Sequence, residues 1–504
     1  MRIKFNGAVL YPPDMARKDI LLIRTHITLS AGGPVPPLGL LHIAGAIYKA
    51  FGEKYRVKII DTGISEDPLA GLSAAMREIK PDIVGFSTLS CESSLMNDMA
   101  ALVKQNKSDT LIIVGGAHAT LAKERVLDNP HVDVVVYGEG DKTIVDLLAA
   151  VEEKTDPGCV KGIVYREQGK AALTEPQPLL QNLDSLTIPL HVWDLIDIYA
   201  YGRYSNWNGA QKEKYYIPAM SSRGCPFHCT FCRSKDNFGQ QFRMRSAESF
   251  VEEIKSLSEK YHISEVHFFD DVFNLDKERV RNICALLKRT GHKWNLSFPN
   301  GLRADLMDDD VLTNLKKTGT YKIHYGIESA SPRIQKMIKK ELDLDKTLKT
   351  IRITVSKGII ASGYFILGFP TETREEIQRT VDFALKSPLD NAYFFKFTDF
   401  LGYQRAGHGA AGGPKEEDLH FFTTAGTAGG LSGDELNGIV MAAQQRFYLD
   451  IRRIARGFVT APRKSLFAGN LLRIYALILL TFLLRKLRIP VKPPLNSPRH
   501  DRRR

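Results

Sequence analysis

The sequence Cys225-Pro-Phe-His-Cys229-Thr-Phe-Cys232 places three cysteines on one short segment, and this segment decides how the rest of the chain is interpreted. Three thiolates so close together favour an iron–sulfur cluster, with a zinc ion or a metal-free loop as the other interpretations. A [4Fe–4S] cluster held by three cysteines keeps one iron open. An open iron can chelate an amino and a carboxylate group and pass one electron to the bound molecule.

Zinc would need a fourth ligand, which His228 or a distant residue could supply, and structural zinc sites usually have paired CxxC knuckles. The chain has one CxxC. Arg223-Gly224 precedes the first cysteine and Phe231 precedes the last, so the segment resembles the CxxxCxΦC signature of the radical SAM superfamily. The resemblance implies that the three cysteines hold a [4Fe–4S] cluster on which S-adenosylmethionine (SAM) is cleaved to a 5′-deoxyadenosyl radical. It also implies that Phe231 contacts SAM.

The composition is typical of a globular protein with several domains. With 504 residues, 43% of them hydrophobic, the chain is long enough for two or three domains. Residues 1–6 lack the apolar run of a signal peptide. The other cysteines, Cys91, Cys159 and Cys284, are scattered, which argues against a disulfide framework. We therefore expect a cytoplasmic protein, in the reducing compartment that an oxygen-sensitive cluster requires.

The net charge of +12 is concentrated at the C-terminal end. Residues 451–504 contain 14 Lys and Arg and one acidic residue, a local charge of +13, so the preceding 450 residues carry −1. The apolar run at 474–484 is shorter than the roughly 20 residues of a membrane span. We expect residues 456–490 to lie on the inner face of a membrane. The alternative is a helix docked on the core, and no nucleic-acid partner is expected.

The first 150 residues alternate apolar runs with helix-length segments. Five runs have the β-branched composition of strands buried on both faces, at 20–23, 57–60, 83–86, 111–114 and 132–136. Helices are predicted between them, among others at 40–51, 93–107 and 141–153. The pattern predicts a doubly wound, Rossmann-like parallel domain over residues 15–153. Such sheets bind ligands at the carboxyl ends of their strands.

Small residues follow three of these runs, as Ser87-Thr88-Leu89-Ser90, Gly115-Gly116-Ala117-His118 and Gly138-Glu139-Gly140. Tight turns alone are the alternative explanation of these glycines. Together with Pro36-Pro37-Leu38-Gly39, however, the Ser-x-Leu and Gly-Gly elements resemble the cobalamin-binding domain that precedes many radical SAM cores. The resemblance implies a cobalamin site formed by Leu38, Gly39, Ser87, Thr88, Leu89, Gly115, Gly116, His118 and Glu139. The Asp-x-His-x-x-Gly element is absent, so we expect base-off cobalamin without a protein histidine on cobalt.

Residues 154–214 are predicted to form a connector, with a hairpin that pairs 160–165 with 170–173 and aromatic residues that pack between domains: Trp193, Tyr199, Tyr201, Tyr204 and Trp207.

Strand–helix alternation returns over residues 215–405. Six strands are predicted there, at 216–220, 265–269, 294–298, 322–325, 362–367 and 392–397. Six such units predict a partial (β/α)6, TIM-like barrel, whose chemistry lies at the carboxyl ends of the strands. The resemblance implies that this barrel is the radical SAM core. Ser246 is predicted to cap its first long helix.

Three strand ends of this barrel carry candidate SAM-binding residues. Gly326-Ile-Glu328-Ser329 resembles the element that binds the SAM ribose. A carboxylate such as that of Glu328 can accept hydrogen bonds from both hydroxyls of a diol. The alternative is that Glu328 forms a salt bridge at the end of its strand. Gly368 lies in a segment that resembles the one against which adenine packs. Arg303 could pair with the SAM carboxylate or with a neighbouring acid, and both interpretations stay open.

Residues 406–504 are predicted to form a helical extension. It begins with an excursion at 407–433 that contains eight glycines and could serve as a lid. A capping box at Ser432 and Glu435 predicts a helix from there to about residue 458. The basic apolar tail follows.

Together the two resemblances imply a cobalamin-dependent radical SAM enzyme that methylates an unactivated carbon of a small or lipophilic metabolite. The resemblance further implies a reductase or flavodoxin-type electron donor. One alternative is a cyclase or ring-rearranging enzyme that acts on a tetrapyrrole or an isoprenoid. The other is a non-catalytic metal- or corrinoid-binding protein. A methylthiotransferase acting on RNA is disfavoured, because Cys91 and Cys159 cannot supply the second cysteine triad it would need.

Overall fold

The computed structural model describes residues 17–26, 34–203, 211–398 and 431–469, with residues 471, 472 and 475 and the backbone of residues 3–5 and 8–10. Its strands are β1 Ile3–Phe5, β2 Ala8–Leu10, β3 Lys18–Arg24, β4 Tyr55–Asp61, β5 Ile83–Ser87, β6 Leu111–Gly115, β7 Val134–Val136, β8 Ile163–Glu167, β9 Lys170–Leu173, β10 Ile217–Ala219, β11 Ser222–Arg223, β12 Arg243–Met244, β13 Glu265–Phe268, β14 Asn295–Leu302, β15 Thr320–Glu328, β16 Ile360–Leu367 and β17 Asn391–Lys396.

The α-helices are α1 Leu38–Phe51, α2 Pro68–Ile79, α3 Ser93–Asn106, α4 Ala117–Ala122, α5 Gly140–Glu153, α6 Ser234–Phe238, α7 Ala247–Tyr261, α8 Lys277–Arg289, α9 Asp309–Lys317, α10 Pro332–Met337, α11 Leu344–Ser356, α12 Arg374–Lys386, α13 Gly433–Tyr448 and α14 Ile451–Thr460. Several sequence predictions fall outside the described residues: Tyr204, Trp207, the glycine-rich excursion as far as residue 430, and the apolar run at 474–484 apart from Tyr475.

The N-terminal sheet has the strand order β4-β3-β5-β6-β7-β8-β9, and its first five strands are parallel. One face packs its buried aliphatic side chains on α1 and α5, and the other packs on α2, α3 and α4. Both faces are therefore covered, as the uninterrupted apolar runs predict. The expected doubly wound, Rossmann-like domain is confirmed.

The predicted hairpin forms as β8 and β9, but it does not stand apart from the sheet. β8 pairs antiparallel with β7, from Val134 opposite Tyr165 to Val136 opposite Ile163. The buried Trp193 of the following segment joins the apolar cluster of the α1 and α5 face, which also contains Ile217 at the start of the second sheet. The segment after the hairpin thus seals one face of the N-terminal sheet against the barrel.

The second sheet is parallel throughout, with the order β10-β13-β14-β15-β16-β17. Helices α7, α8, α9, α11 and α12 cover its outer face. Ser246 caps α7 as predicted, with its hydroxyl 3.2 Å from the backbone nitrogen of Ser249. The six predicted strands are all present in their predicted order, which confirms the partial (β/α)6 barrel.

The C-terminal helices differ from the prediction in one respect. Ser432 and Glu435 form the expected capping box at the start of α13. The helix nevertheless ends at Tyr448, and a second helix, α14, begins at Ile451. The single helix predicted through residue 458 is therefore wrong. The side chain of Asp450 accepts hydrogen bonds from the backbone nitrogens of Arg452 and Arg453, so it starts a new helix rather than continuing the old one.

Candidate functional site

The three cysteines lie on the loop between β11 and α6. β11 pairs with β12, with Arg223 opposite Arg243, so the loop leaves from a short two-stranded ladder. Gly224 has a φ of 81°, and a Cβ at this position would collide with the carbonyl group of Gln241. Only glycine allows this close approach, which explains why a glycine precedes the first cysteine.

The donor set of this loop fits an iron–sulfur cluster. All six cysteines of the chain are free, and the three on the loop are half-buried. Burial raises the pKa of each loop thiol, that of Cys232 to about 11. At Cys229 the charges of Lys340 and Arg303 offset part of this increase. Three thiols on one loop, beside two cations, suit a cluster held by three cysteines. Within the described residues, no group of three or more His, Cys, Asp or Glu side chains is arranged to hold a single metal ion.

Two aspartates after β13 support the start of the loop. One carboxylate oxygen of Asp270 accepts hydrogen bonds from the hydroxyls of Ser221 and Ser222, at 2.6 and 2.5 Å. Its other oxygen, and one oxygen of Asp271, are buried without a hydrogen-bond partner. Burial raises the pKa of Asp271, and the charge of Asp270 raises it further. The pair therefore holds unused acceptors next to the cysteine loop.

Arg303, a predicted SAM ligand, is engaged by a neighbouring acid. Its Nε and one Nη lie 3.0 and 2.7 Å from the two oxygens of Asp305. Its guanidinium lies over the ring of Phe227, 3.9 Å from the centroid, and so touches the cysteine loop. Its remaining Nη is buried without a partner. Arg303 is thus oriented toward the loop and has one donor available.

Glu328 ends β15 with a φ of 65° and forms a salt bridge of 2.7 Å with Lys340. The Lys340 ammonium also lies 5.8 Å from the ring centroid of Phe231. Glu328 is therefore close to the cysteine loop, as predicted, but it has a partner. The hydroxyl of Ser329 is fully buried, 3.2 Å from both the Thr380 hydroxyl and the Ser331 backbone nitrogen, so it is committed to the fold.

Gly368 follows β16 with a φ of 87°, and its backbone nitrogen donates to Glu372 at 2.7 Å. The sequence analysis missed Glu372, whose side chain is fully buried. One of its oxygens accepts from Gly368 and Phe369, and the other has no partner. Burial raises the pKa of Glu372 to about 7. A glutamate four residues after Gly368 and two after Pro370 was the available signal in the sequence.

The strand ends of the N-terminal sheet are brought together as predicted. Gly116 has a φ of 92°, and a Cβ there would lie 3.0 Å from the backbone nitrogen and oxygen of Thr88. The backbone nitrogen of His118 donates to the carbonyl group of Thr88, and its ring lies 3.3 Å from the Ser90 hydroxyl. Burial lowers the pKa of His118 to about 4, so its ring is neutral. Gly115 and Ser87 are paired on adjacent strands, β6 and β5.

This edge suits a large ligand that approaches the backbone, because glycine at 116 lets the loops after β5 and β6 pack closely and leaves small residues and backbone groups at the strand ends. Leu89 remains exposed in it. Leu38 and Gly39 lie in the first turn of α1, where a Cβ on Gly39 would meet nothing within 4 Å. The predicted cobalamin ligands thus divide into a packed group after β5 and β6 and an open group at α1.

Glu139, also predicted to bind cobalamin, lies in a buried charge cluster between the two sheets. It pairs with Arg243 at 2.5 and 3.0 Å, and Asp141 pairs with Arg223 at 2.6 Å. All four side chains are buried. We call these four residues the interdomain cluster. Because Arg223 and Arg243 face each other across the ladder below the cysteine loop, the cluster ties that loop to the start of α5.

Comparisons with known proteins agree with this geometry. Residues 24–148 match the B12 binding domain model, and residues 220–384 match the Radical SAM superfamily model. An uncharacterized methyltransferase of Pyrococcus horikoshii is 34% identical over 78% of this chain and 80% of its own length. The cytidylyl-2-hydroxyethylphosphonate methyltransferase of Streptomyces wedmorensis is 28% identical over 73% of this chain and 76% of its own.

The chain belongs to the B12-binding radical SAM family. The cofactors of this family are a [4Fe–4S] cluster, SAM and cobalamin, as the sequence predicts. Its relatives also include the anaerobic magnesium-protoporphyrin IX monomethyl ester cyclase of Rubrivivax gelatinosus, 27% identical over 73% of this chain and 65% of its own. The radical SAM methyltransferase TsrM from Kitasatospora setae shares the fold, with a TM-score of 0.61, 17% identity, and coverage of 75% of this chain and 72% of its own.

A second group that sequence reasoning missed lies at the B12-binding end of this radical SAM protein. His26, two residues beyond the end of β3, has its Nδ1 3.1 Å from a carboxylate oxygen of Glu92. Its Nε2 is buried without a partner. The histidine backbone is fixed by Thr62, whose hydroxyl accepts from the His26 nitrogen at 2.7 Å. A histidine directly after a predicted strand was the signal in the sequence.

The inner face of the radical SAM barrel is lined by stacked rings. His267 lies parallel to Tyr216, with centroids 4.0 Å apart, and His324 lies parallel to Tyr364 at 5.0 Å. Burial keeps the pKa of His324 well below its usual value, so this ring is neutral. Lys322, on the same face of β15, is also buried, and burial lowers its pKa to about 8. The face thus combines flat rings with one buried amine.

Proposed function

We propose that this protein is a cobalamin-dependent radical SAM methyltransferase that adds a methyl group to an unactivated carbon of a small or lipophilic metabolite. One observation carries the proposal: the interdomain cluster joins the ladder below the cysteine loop to the loop that follows β7 of the B12-binding domain. The two predicted cofactor regions therefore adjoin the same buried contact. A reaction that needs both groups near one substrate requires such a connection.

We assign the residues of the chain as follows. Cys225, Cys229 and Cys232 hold the cluster, and the free donor of Arg303 and the carboxylate of Glu328 orient SAM beside it. The edge formed by Thr88 and Gly116, with the other predicted residues around it, holds cobalamin. When bound, these groups supply the radical and the methyl group, while the protein positions them and excludes water.

The proposed substrate binds against the inner face of the barrel. The stacked pair of His324 with Tyr364 offers flat surfaces on β15 and β16, and Tyr393 lies 5.5 Å from Tyr364. Such surfaces suit a substrate with a planar or hydrophobic part. The electron donor is proposed to be a reductase or flavodoxin.

A cyclase is the second candidate function, because some relatives carry that name. The deciding experiment uses anaerobically reconstituted protein, an extract of a strain that lacks it, and SAM with a trideuterated methyl group. A product that retains the deuterated methyl, formed together with 5′-deoxyadenosine, supports methylation. A new product without deuterium supports cyclisation instead. Absence of 5′-deoxyadenosine after full cluster loading would contradict both and support a non-catalytic binding protein.

A further inference from the structure

Helix α14 is attached to the protein by its cationic side. The guanidinium of Arg453 donates to the carbonyl groups of Leu385, Ser387 and Leu389. Arg456 donates to the carbonyl group of Leu389 at 2.7 Å and pairs with Asp390 at 2.8 Å. These acceptors end α12 and lead into β17, where carbonyl groups lack helical partners. The arginines therefore cap α12 and fix α14 in place.

The opposite side of α14 is apolar and faces solvent. Ile451 and Val459 are 78% and 77% exposed, and Phe458 is 40% exposed. These positions, with Ala455, repeat at the spacing of one helical face. An amphipathic helix on a globular protein normally turns this face toward the core. Here the arrangement is reversed, because the arginines occupy the protein side.

The apolar side continues beyond α14. The ring of Phe467 packs edge-on against Phe458, with centroids 5.1 Å apart, and a Cβ at Gly457 would collide with it. Glycine at this position thus lets the following helical segment fold back on α14. That segment adds further exposed side chains. The C-terminal apolar surface comprises Ile451, Phe458, Val459, Leu466, Leu472 and Tyr475.

We propose that the C-terminal apolar surface docks on an anionic lipid bilayer. Charge complementarity identifies the partner: residues 451–504 carry a net charge of +13, and Arg452 and Lys464 are exposed beside the surface. Apolar side chains flanked by cations are the composition that lies in a membrane interface. A second copy of the chain would bring another +13 to the same contact and be repelled. Among the described residues, no helix is both long and apolar enough to cross a membrane.

The proposal is independent of the reaction, since it rests on α14 and the segment after it. It predicts that the protein binds a membrane without spanning it, with α14 parallel to the surface. Each exposed aliphatic side chain that enters the interface adds binding free energy, and each cation adds attraction that salt weakens.

The test is co-sedimentation of the full chain with vesicles of phosphatidylcholine alone or with one quarter phosphatidylglycerol. We expect binding to the anionic vesicles, weakened by salt, and a loss of roughly tenfold or more in the partition coefficient for the double variant Ile451→Ser, Val459→Ser. This variant keeps the charge, and both side chains are exposed, so folding should persist. Leu173→Ser, which removes an exposed leucine of β9, is the matched control and should bind as wild type does.

Three outcomes would overturn the proposal. The first is wild-type protein that stays in the supernatant with anionic vesicles at low salt. The second is a double variant, folded by circular dichroism, that sediments as well as wild type. The third is a wild-type dimer in light scattering that the double variant disrupts, since the surface would then be covered by a second copy.

Discussion

The two sheets present their carboxyl ends in different ways. At the N-terminal sheet, Gly116 and Thr88 approach through their backbones, and the neighbouring His118 is buried and neutral. At the barrel, Asp271 and Arg303 keep buried polar atoms without partners. The edge of the N-terminal sheet can recognise a ligand by shape and backbone contact, whereas the edge of the barrel has polar atoms available to bind a polar ligand. Mutations at the two edges should therefore impair the binding of different ligands.

The interdomain cluster is where the two edges meet. Arg223 precedes the cysteine loop by one residue, and its partner Asp141 lies in the first turn of α5. Four buried side chains with two positive and two negative charges form a neutral unit, so the removal of one charge leaves another without compensation. Variants of this cluster test whether the edges act together, and variants of either edge test whether they act separately.

The largest effect is expected from Cys229→Ala, which affects only the barrel edge. The variant should lose the iron–sulfur absorbance and all formation of 5′-deoxyadenosine, because two thiols cannot hold the cluster. Its cobalamin content should not change. Cys159→Ala, which removes an exposed thiol, is the control and should retain both. A Cys229→Ala protein with normal iron, sulfide and SAM cleavage would contradict the assignment of the loop.

Asp141→Asn should destabilise the protein by about 3–5 kcal/mol, because the buried Arg223 loses its charged partner. Chemical denaturation under anaerobic conditions measures the free energy of unfolding. Glu78→Gln breaks a surface salt bridge with Lys58 and should change this energy by no more than about 1 kcal/mol. Equal effects of the two variants would show that the interdomain cluster contributes no more than a surface pair.

Glu372→Gln should remove a pH dependence of about 2–3 kcal/mol. The folded pKa of about 7 is above the ordinary value of 4.5, so the folded state binds the proton more tightly. The contribution of Glu372 to stability should therefore be greatest below about pH 4.5 and be lost as the pH rises to about 7. The melting temperature, measured at several pH values, reports this difference. Glu341→Gln, which removes an exposed carboxylate, is the control and should leave the profile unchanged. A profile unchanged in Glu372→Gln would refute the prediction.

The smallest effect, about 1–2 kcal/mol, is expected from Gly116→Ala, because the added Cβ meets the backbone of Thr88 at a positive φ. It should lower cobalamin retention after gel filtration and leave the cluster spectrum intact. Gly438→Ala is the control, since no atom lies within 4 Å of its Cβ position in α13. Loss of cluster and cobalamin together in Gly116→Ala would mean that the two edges cannot be separated.

Regular patterns made most of the fold predictable. Five apolar runs and six later ones fixed both sheets, because parallel strands buried on two faces leave a strong signal in sequence. The break between α13 and α14 was missed, since Asp450 caps a helix only where the preceding helix has already ended. Local sequence does not reveal that condition.

The site was predictable in its motifs and not in its pairings. Short spacing brought the three cysteines together, and the strand pattern placed Glu328 at the end of β15 and Gly116 after β6, while their roles as ligands stay predictions. The ion pair of Glu139 was not predictable, because its partner Arg243 is 104 residues away and the pairing depends on how the domains dock. The same holds for His26 and Glu92, which are 66 residues apart and meet only when β3 and β5 pair.

The six-stranded sheet and its junction with the N-terminal domain affect how substrate can enter and product can leave. Its outer strands, β10 and β17, have no strand partner on one side among the described residues. The ladder, the cysteine loop and the start of α5 are held together by buried charge, so parting the two domains would pull the cysteine loop out of position. We therefore expect substrate to enter and product to leave without the domains parting, so that their junction stays shut throughout turnover.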